Sequence, residues 1–289
     1  METEAVSSEP ESARVPSVTE SVPGKGAFYA GALNAETNTA HNARFSRNDF
    51  YAGADFAASK SFDLGLFAAG NTGSIRHDLG RTETEGVSVG GYAKASLSDR
   101  WSLKASLAYG ADEFDIKRRT LHGSVDADAT ADTLSGSILA EYVAYRGESF
   151  SVAPRAGLVA AASYVDAFTE RGASDALHLD EFSTSRASLR AGASAVWTTR
   201  TFGNPLSLEL TADIDQAFGG HQSDLEASLA ATPSLRYPIG VSDERSTSFL
   251  YGVNAGYGLT ESTSLFLGYQ GRVGYAPSNS VQVSVRVRF

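Results

Sequence analysis

Cysteine is absent from the chain, which excludes disulfides, thiolate metal sites and cysteine nucleophiles in one step. Also missing is any apolar run of about 18 to 20 residues, so no transmembrane helix is expected. A basic surplus is lacking as well. Lys and Arg number 24 against 34 Asp and Glu, a net charge of −10, which argues against a nucleic-acid binder relying on phosphate neutralisation. The small basic run Lys117-Arg118-Arg119 reads as a loop or rim charge. The five histidines, His41, His77, His122, His178 and His221, fall in stretches read as external loops, and none has the spacing of an HExxH site. No P-loop, dinucleotide fingerprint or nucleophile elbow occurs, so neither an enzyme nor a cofactor is expected. The first residues lack the basic and apolar regions of a secretory signal, and the expectation is a fragment or mature portion of an exported chain.

What is present is a texture. Residues 1 to 25, rich in Glu, Ser, Val and Pro, have no stable period and read as a flexible linker or truncated passenger remnant. From residue 26 to residue 289 the chain becomes a succession of segments of roughly ten residues that alternate in polarity. The last is the cleanest: in Val281-Gln282-Val283-Ser284-Val285-Arg286-Val287-Arg288-Phe289 every odd position is apolar and every even one polar. That period of two puts the sets on opposite faces of a strand. Leu206, Leu208, Leu210, Ala212 and Ile214 oppose Ser207, Glu209, Thr211, Asp213 and Asp215 in the same way, as Ala187 to Trp197 oppose Arg186 to Ser194. Phe249 to Leu259 and Leu265 to Tyr269 give two more, and further strands are read near 26–34, 48–58, 62–72, 86–97, 100–110, 132–145 and 150–165, making twelve.

The connections alternate too. Short links at 58–62, 97–101, 145–150, 198–205 and 260–264 separate long polar ones at 34–47, 73–85, 111–131, 166–181 and 216–244. An even strand count then returns the C-terminus to the short-turn side. The fold predicted is all-β, a transmembrane antiparallel up-and-down β-barrel of the outer-membrane type with about twelve strands. A soluble β-sandwich is disfavoured, because apolar faces of Val, Leu, Ala and Tyr recur on nearly every strand where a polar outer face would be needed. Trp101, Phe150, Trp197 and Phe202 fall near short-turn ends and read as interface aromatics. Parity assigns Asp55, Lys94, Lys104, Glu141, Arg155, Arg186, Arg190, Glu209, Asp213, Arg272, Arg286 and Arg288 to the pore lining. Their mixed signs suit either a polar passage for extended peptide or mutual pairing that rigidifies the wall.

Several segments carry a resemblance. Gly53-Ala54-Asp55-Phe56 followed by Leu64-Gly65-Leu66-Phe67-Ala68 resembles an early hairpin of autotransporter β-domains. Ser88 to Ala93, Trp101 to Leu103 and Tyr109 to Arg119 are similar to the next hairpin and its loop. Phe168-Thr169-Glu170-Arg171-Gly172-Ala173 resembles that family's "FTE-x-GA" segment, Ser185 to Gly192 its "LRSSLG" strand, and Phe266 to Gly271 its "LYLGYDGEF". The likeness runs in order from about residue 48 to residue 289.

The resemblance implies a translocator barrel in the outer membrane of a Gram-negative bacterium that supports export of its own N-terminal passenger. It implies as partners outer-membrane lipid, the barrel assembly machinery and periplasmic chaperones. Phe289, with Val285 and Val287 on the same face, resembles the terminal signal read by that machinery. Family members thread a helix through the pore ahead of the first strand, whereas Pro10, Pro16 and Pro23 break any continuous helix here. Some members cleave their own linker at an Asn or Asp; no Asn occurs before Asn34, so that activity is not expected. The alternative to translocation is a passenger-free outer-membrane channel or a surface adhesin with long external loops.

Overall fold

The computed structural model describes residues 26–38, 43–222, 225–239, 246–274 and 276–289. The leader, residues 1 to 25, and His41 lie outside them. Twelve long strands make the barrel: β1 (Gly26–Asn38), β2 (Arg44–Ser59), β3 (Phe62–His77), β4 (Gly80–Ser96), β5 (Trp101–Thr120), β6 (Gly123–Tyr142), β8 (Phe150–Val165), β11 (Phe182–Thr201), β12 (Asn204–Gln222), β15 (Thr247–Gly258), β16 (Thr263–Gly274) and β17 (Ser278–Arg288). A two-residue strand, β7 (Tyr145–Arg146), folds back on β8. Four short strands, β9 (Phe168–Thr169), β10 (Leu177–Leu179), β13 (Leu225–Leu229) and β14 (Thr232–Ile239), form a separate sheet ordered β14-β13-β10-β9.

Every barrel strand pairs antiparallel with its neighbours, and the ring closes where β1 pairs with β17 from Ala27↔Arg288 to Thr37↔Ser278. Around the ring each barrel strand thus has a paired neighbour on both sides, which is what a backbone crossing lipid requires. Alternation explains which face goes where. On β17 Val281, Val283, Val285 and Val287 are exposed, while Ser280, Gln282 and Ser284 are buried. On β3 Leu64 and Leu66 are exposed and Asn71 is buried; on β12 Leu210 and Ile214 are exposed and Thr211, Asp213 and Asp215 buried. The apolar side chains form the outside, and the withdrawn polar ones the interior.

The outer face has a height. Trp101 and Tyr109 stand eight residues apart on β5, about 27 Å along the strand and about 20 Å across a membrane for a tilt of about 40°. That is close to the apolar band of about 25 Å that such barrels present. Tyr109 donates to Asp132 at 2.6 Å, so its hydroxyl end is polar where its ring is not. Trp101, Phe150 and Trp197 are exposed on the outer wall at the short-turn end, where Trp101 packs on Tyr142 with ring centroids 4.9 Å apart and Trp197 is in register with Phe150. Phe202 differs: it lies at the tip of the β11–β12 turn with φ of 53°, 95% exposed, beyond the wall.

Two of the expected long loops are strands. Residues 73–85 form the end of a hairpin that turns at Asp78-Leu79 between β3 and β4, and 111–131 one that turns at Leu121-His122 between β5 and β6. Polar residues sit on the outward side there because the hairpins extend past the apolar band. The backbone ladder needs no lipid to persist. Segments 34–47, 166–181 and 216–244 likewise contain more strand than expected. His77, His178 and His221 are therefore strand residues rather than loop residues. The short turns fall where the sequence put them.

Glycine lets interior aromatics cross between strands at one junction. Tyr29 on β1 lies over Gly53 on β2, donating to the carbonyl of Leu66 at 3.2 Å. A Cβ at Gly53 would run into the Tyr29 ring and that same carbonyl. Gly53→Val is expected to cost about 1–3 kcal/mol by overpacking, read as a lower urea midpoint of the heat-modifiable form; an unchanged midpoint would contradict this packing.

Candidate functional site

The interior wall is the site. Its charged residues do not stand apart in a wet channel; most are engaged with one another. Arg155 on β8 and Asp213 on β12 form a two-pronged pair, with Nε to Oδ1 at 2.7 Å and side chains only 2% and 3% exposed. Both flank Gly192 of β11, which carries no side chain to separate them. Lys104 donates to Glu141 at 3.2 Å. Lys94 is in register with Lys104 on one side and Asp63 on the other, so Asp63 and Glu141 bracket two facing lysines. Without those carboxylates the facing lysines would repel.

A second group fastens the closing seam. Arg286 on β17 reaches Asp55 on β2 across β1, at 2.7 Å, and the Tyr92 hydroxyl of β4 donates to the same carboxylate. Gln282 of β17 donates to the Tyr51 hydroxyl of β2. Interior side chains thus tie β17 directly to β2, and β2 in turn to β4, in addition to the ladders between neighbouring strands. Glu209 accepts from Asn254 at 3.3 Å. Arg272 occupies the interior set of β16 in register with Leu250 and Ser278, and Arg288 that of β17 opposite Ala27. Arg186 and Arg190 on β11 both approach Asp215, at 3.9 and 3.7 Å.

All twelve sequence-assigned lining residues therefore sit on the interior parity. Sequence reasoning passed over Asp215, Asp63 and Tyr92, although the first extends the parity of Glu209 and Asp213 and the last that of Lys94. Asn71–Asp112, at 2.9 Å, and Arg47–Asp49, at 2.7 Å, are engaged as well.

The other end of the wall is covered. Beyond the end of β8 the edge of β6 is open, and the segment after β8 closes it: Asp126 and Arg171 exchange backbone hydrogen bonds of 3.0 and 2.9 Å. Arg118, on the interior parity of β5, is held in a two-pronged pair by the buried Glu170, which also accepts from the Leu177 amide at 2.9 Å. Gly172 has φ of 113°, and a Cβ there would stand 2.6 Å from the Ser124 carbonyl. Val125, Ala127 and Ala129 are buried on the same side, so this segment packs on the interior side of the β5–β6 hairpin. The Phe168 to Ala173 motif thus has a physical reading: Glu170 is the clamp and Gly172 the close approach. Leu179, Phe182 and Ala227, with Val165, Phe168 and Leu177 against them, give the cap its small core. Among the described residues no cluster of His, Asp and Glu could hold a metal.

The cap carries a titratable contact. A hydrogen bond from Thr120 at 2.7 Å, supplemented by His122, holds the Asp175 carboxyl below the ordinary aspartate value of 3.8. A lowered folded-state value means that this contact stabilises above the unfolded value and is lost as pH falls through the lowered one. Arg118, Glu170, Arg171 and Asp126 face the same segment. Amide protection factors across 172–177, taken relative to the intrinsic exchange rate at each pH, are expected to fall on acidification more in the wild type than in Asp175→Asn; an equal fall would remove Asp175 from the account.

A closed barrel with an apolar outer belt, outward-facing aromatics and a charged polar interior defines an outer-membrane protein of a Gram-negative bacterium. A model of the autotransporter beta-domain family matches residues 25–270, and the chain belongs to that family. The fold is shared with the translocator domain of autotransporter NalP from Neisseria meningitidis at 13% identity and a TM-score of 0.74, covering 91% of this chain and 88% of that one. The beta domain of the Bordetella autotransporter BrkA is similar at 15% identity and a TM-score of 0.71, covering 91% and 99%. No curated protein sequence matches the chain. The protein is an outer-membrane translocator barrel.

Proposed function

We propose that this barrel supports export of a polypeptide joined to its N-terminus, and that the barrel itself does no covalent chemistry. The observation that carries this reading is the position of Gly26. It starts β1 at the short-turn side, hydrogen-bonded to Phe289. Anything attached ahead of it enters the fold from the periplasmic end, and the interior is its route to the surface. The engaged charges of the wall favour a passage that keeps its shape over one that grips a particular sequence. On this reading outer-membrane lipid surrounds the belt, periplasmic chaperones hold the unfolded chain, and the assembly machinery captures the β17 end by strand addition.

The test places a secretory signal and a reporter segment ahead of Met1 and follows the reporter with external protease. Surface cleavage in intact cells is the expected result. A reporter that stays protected, while the barrel itself is inserted and heat-modifiable, would sink translocation and leave a channel or adhesin.

A further inference from the structure

Beyond the apolar belt, on the side away from the short turns, the outward faces of neighbouring strands differ in charge. On β4 to β6 that face carries Glu83, Glu85, Glu113, Asp115, Asp126 and Asp128. On β2 and β3 it carries no acid. Past Phe50, 65% exposed and the last large apolar side chain on the outside of β2, Asn48 stands opposite Thr72, Ser46 opposite Ser74 and Arg44 opposite Arg76. Glu36 of β1 and Glu83 of β4 border this strip, in register with Ser46 and Ser74.

Arg44 and Arg76 are directly opposed, and Arg81 of β4 is in register with Arg76. Like charges so placed destabilise a sheet. Arg81 has its own counter-ion, Glu83 at 2.8 Å. The exposed side chains of Arg44 and Arg76 have none among the described residues. One anion seated over the pair would turn a repulsion into charge-assisted contacts, with the Ser46 and Ser74 hydroxyls as further donors.

Height selects the anion. Arg44 lies six residues beyond Phe50, about 20 Å along the strand and about 16 Å along the membrane normal for a tilt of about 40°. The headgroup layer of a phospholipid leaflet is only about 5–8 Å deep. The outer leaflet of a Gram-negative outer membrane is lipopolysaccharide, whose core oligosaccharide carries phosphate farther from the hydrocarbon. A guanidinium fork matches phosphate in two-pronged geometry.

We propose that Arg44 and Arg76, with Ser46 and Ser74 beneath them, bind core phosphate of lipopolysaccharide on the outer wall of the barrel. The site rests on the membrane location and not on passenger export, so either can fail without the other.

The test uses the full chain refolded in dodecyl maltoside micelles and reads the bound fraction by native mass spectrometry at constant ionic strength. EDTA keeps divalent cations from bridging the acids of β4 to β6. The probes are lipopolysaccharide with a phosphorylated core, deep-rough lipopolysaccharide without core phosphate, and phosphatidylglycerol. The wild type is expected to prefer the phosphorylated core over the deep-rough form by about tenfold, and Arg44→Gln/Arg76→Gln to abolish that preference. Lys117→Gln/Arg119→Gln removes the same charge beside the acids of β5 and should leave the preference intact. Equal wild-type affinity for the two lipopolysaccharides, a preference that survives the first double substitution, or one that falls as far in the second would each overturn the proposal. So would an equal loss of phosphatidylglycerol binding in Arg44→Gln/Arg76→Gln, which would place the contact at headgroup depth.

Discussion

Arg155→Met is expected to destabilise the barrel by about 3–5 kcal/mol, because it takes the two-pronged partner from Asp213 in a site that is almost wholly withdrawn from solvent. Methionine keeps most of the volume, so the loss is electrostatic rather than a cavity. The matching double variant, Arg155→Met/Asp213→Leu, should recover most of the stability, since both desolvation penalties disappear along with the attraction. The pair would then be shown to fix how β8 and β12 face each other across Gly192 more than to hold the barrel together. Urea titration of the detergent-folded protein measures both. If the single and double variants unfold at the same midpoint, the buried pair does not act as described.

Removing Phe289 should have its main effect on assembly. The residue donates its amide to the Gly26 carbonyl at 3.0 Å and accepts the Gly26 amide at 3.4 Å, and its ring lies 4.8 Å from that of Phe28. Losing these contacts at the seam should cost about 2 kcal/mol, roughly a thirtyfold change in the folded-to-unfolded ratio. A stable barrel survives that in detergent. Insertion into outer membranes should fall much further, because the apolar face of Val285, Val287 and Phe289 is also what strand capture would read. Heat-modifiable yield in cells, compared with refolding yield of the purified chain, separates the two. Equal, small losses in both would leave Phe289 as an ordinary chain end, whereas recovery of cellular yield by Phe289→Trp would support recognition of a terminal aromatic.

The barrel was legible because lipid imposes a period of two on every spanning strand. Val281 to Phe289 shows it without interruption, and the glutamate and aspartates of β12 show it from the polar side. Beyond the apolar band that constraint lapses. Residues 111–120 and 123–131 are paired in register, yet Asp115, Lys117, Asp126 and Asp128 made them look like loop. The small buried residues Val125, Ala127, Ala129 and Ala131 were the available sign of a strand there. Parity also placed each interior charge on its face. It could not pair them, because Arg155 meets Asp213 two strands away and Arg286 meets Asp55 across β1. Glu170 was visible only as part of a family-like motif, and its partner Arg118 lies 52 positions back in the chain.

The seam between β1 and β17 also dictates an order of events. Its partners are the first and the last strand of the barrel, the pairing of greatest sequence separation in the ring. Every other barrel pairing joins strands that are closer along the chain, and most are simple hairpins. Loop-closure entropy makes such an end-to-end contact slow to form. The final step of folding is therefore a ring closure that must wait for β17 to be made, and until then the free edges of the unclosed sheet are exposed templates. Time spent open, rather than depth of the final energy minimum, is the hazard this architecture presents to the cell that makes it.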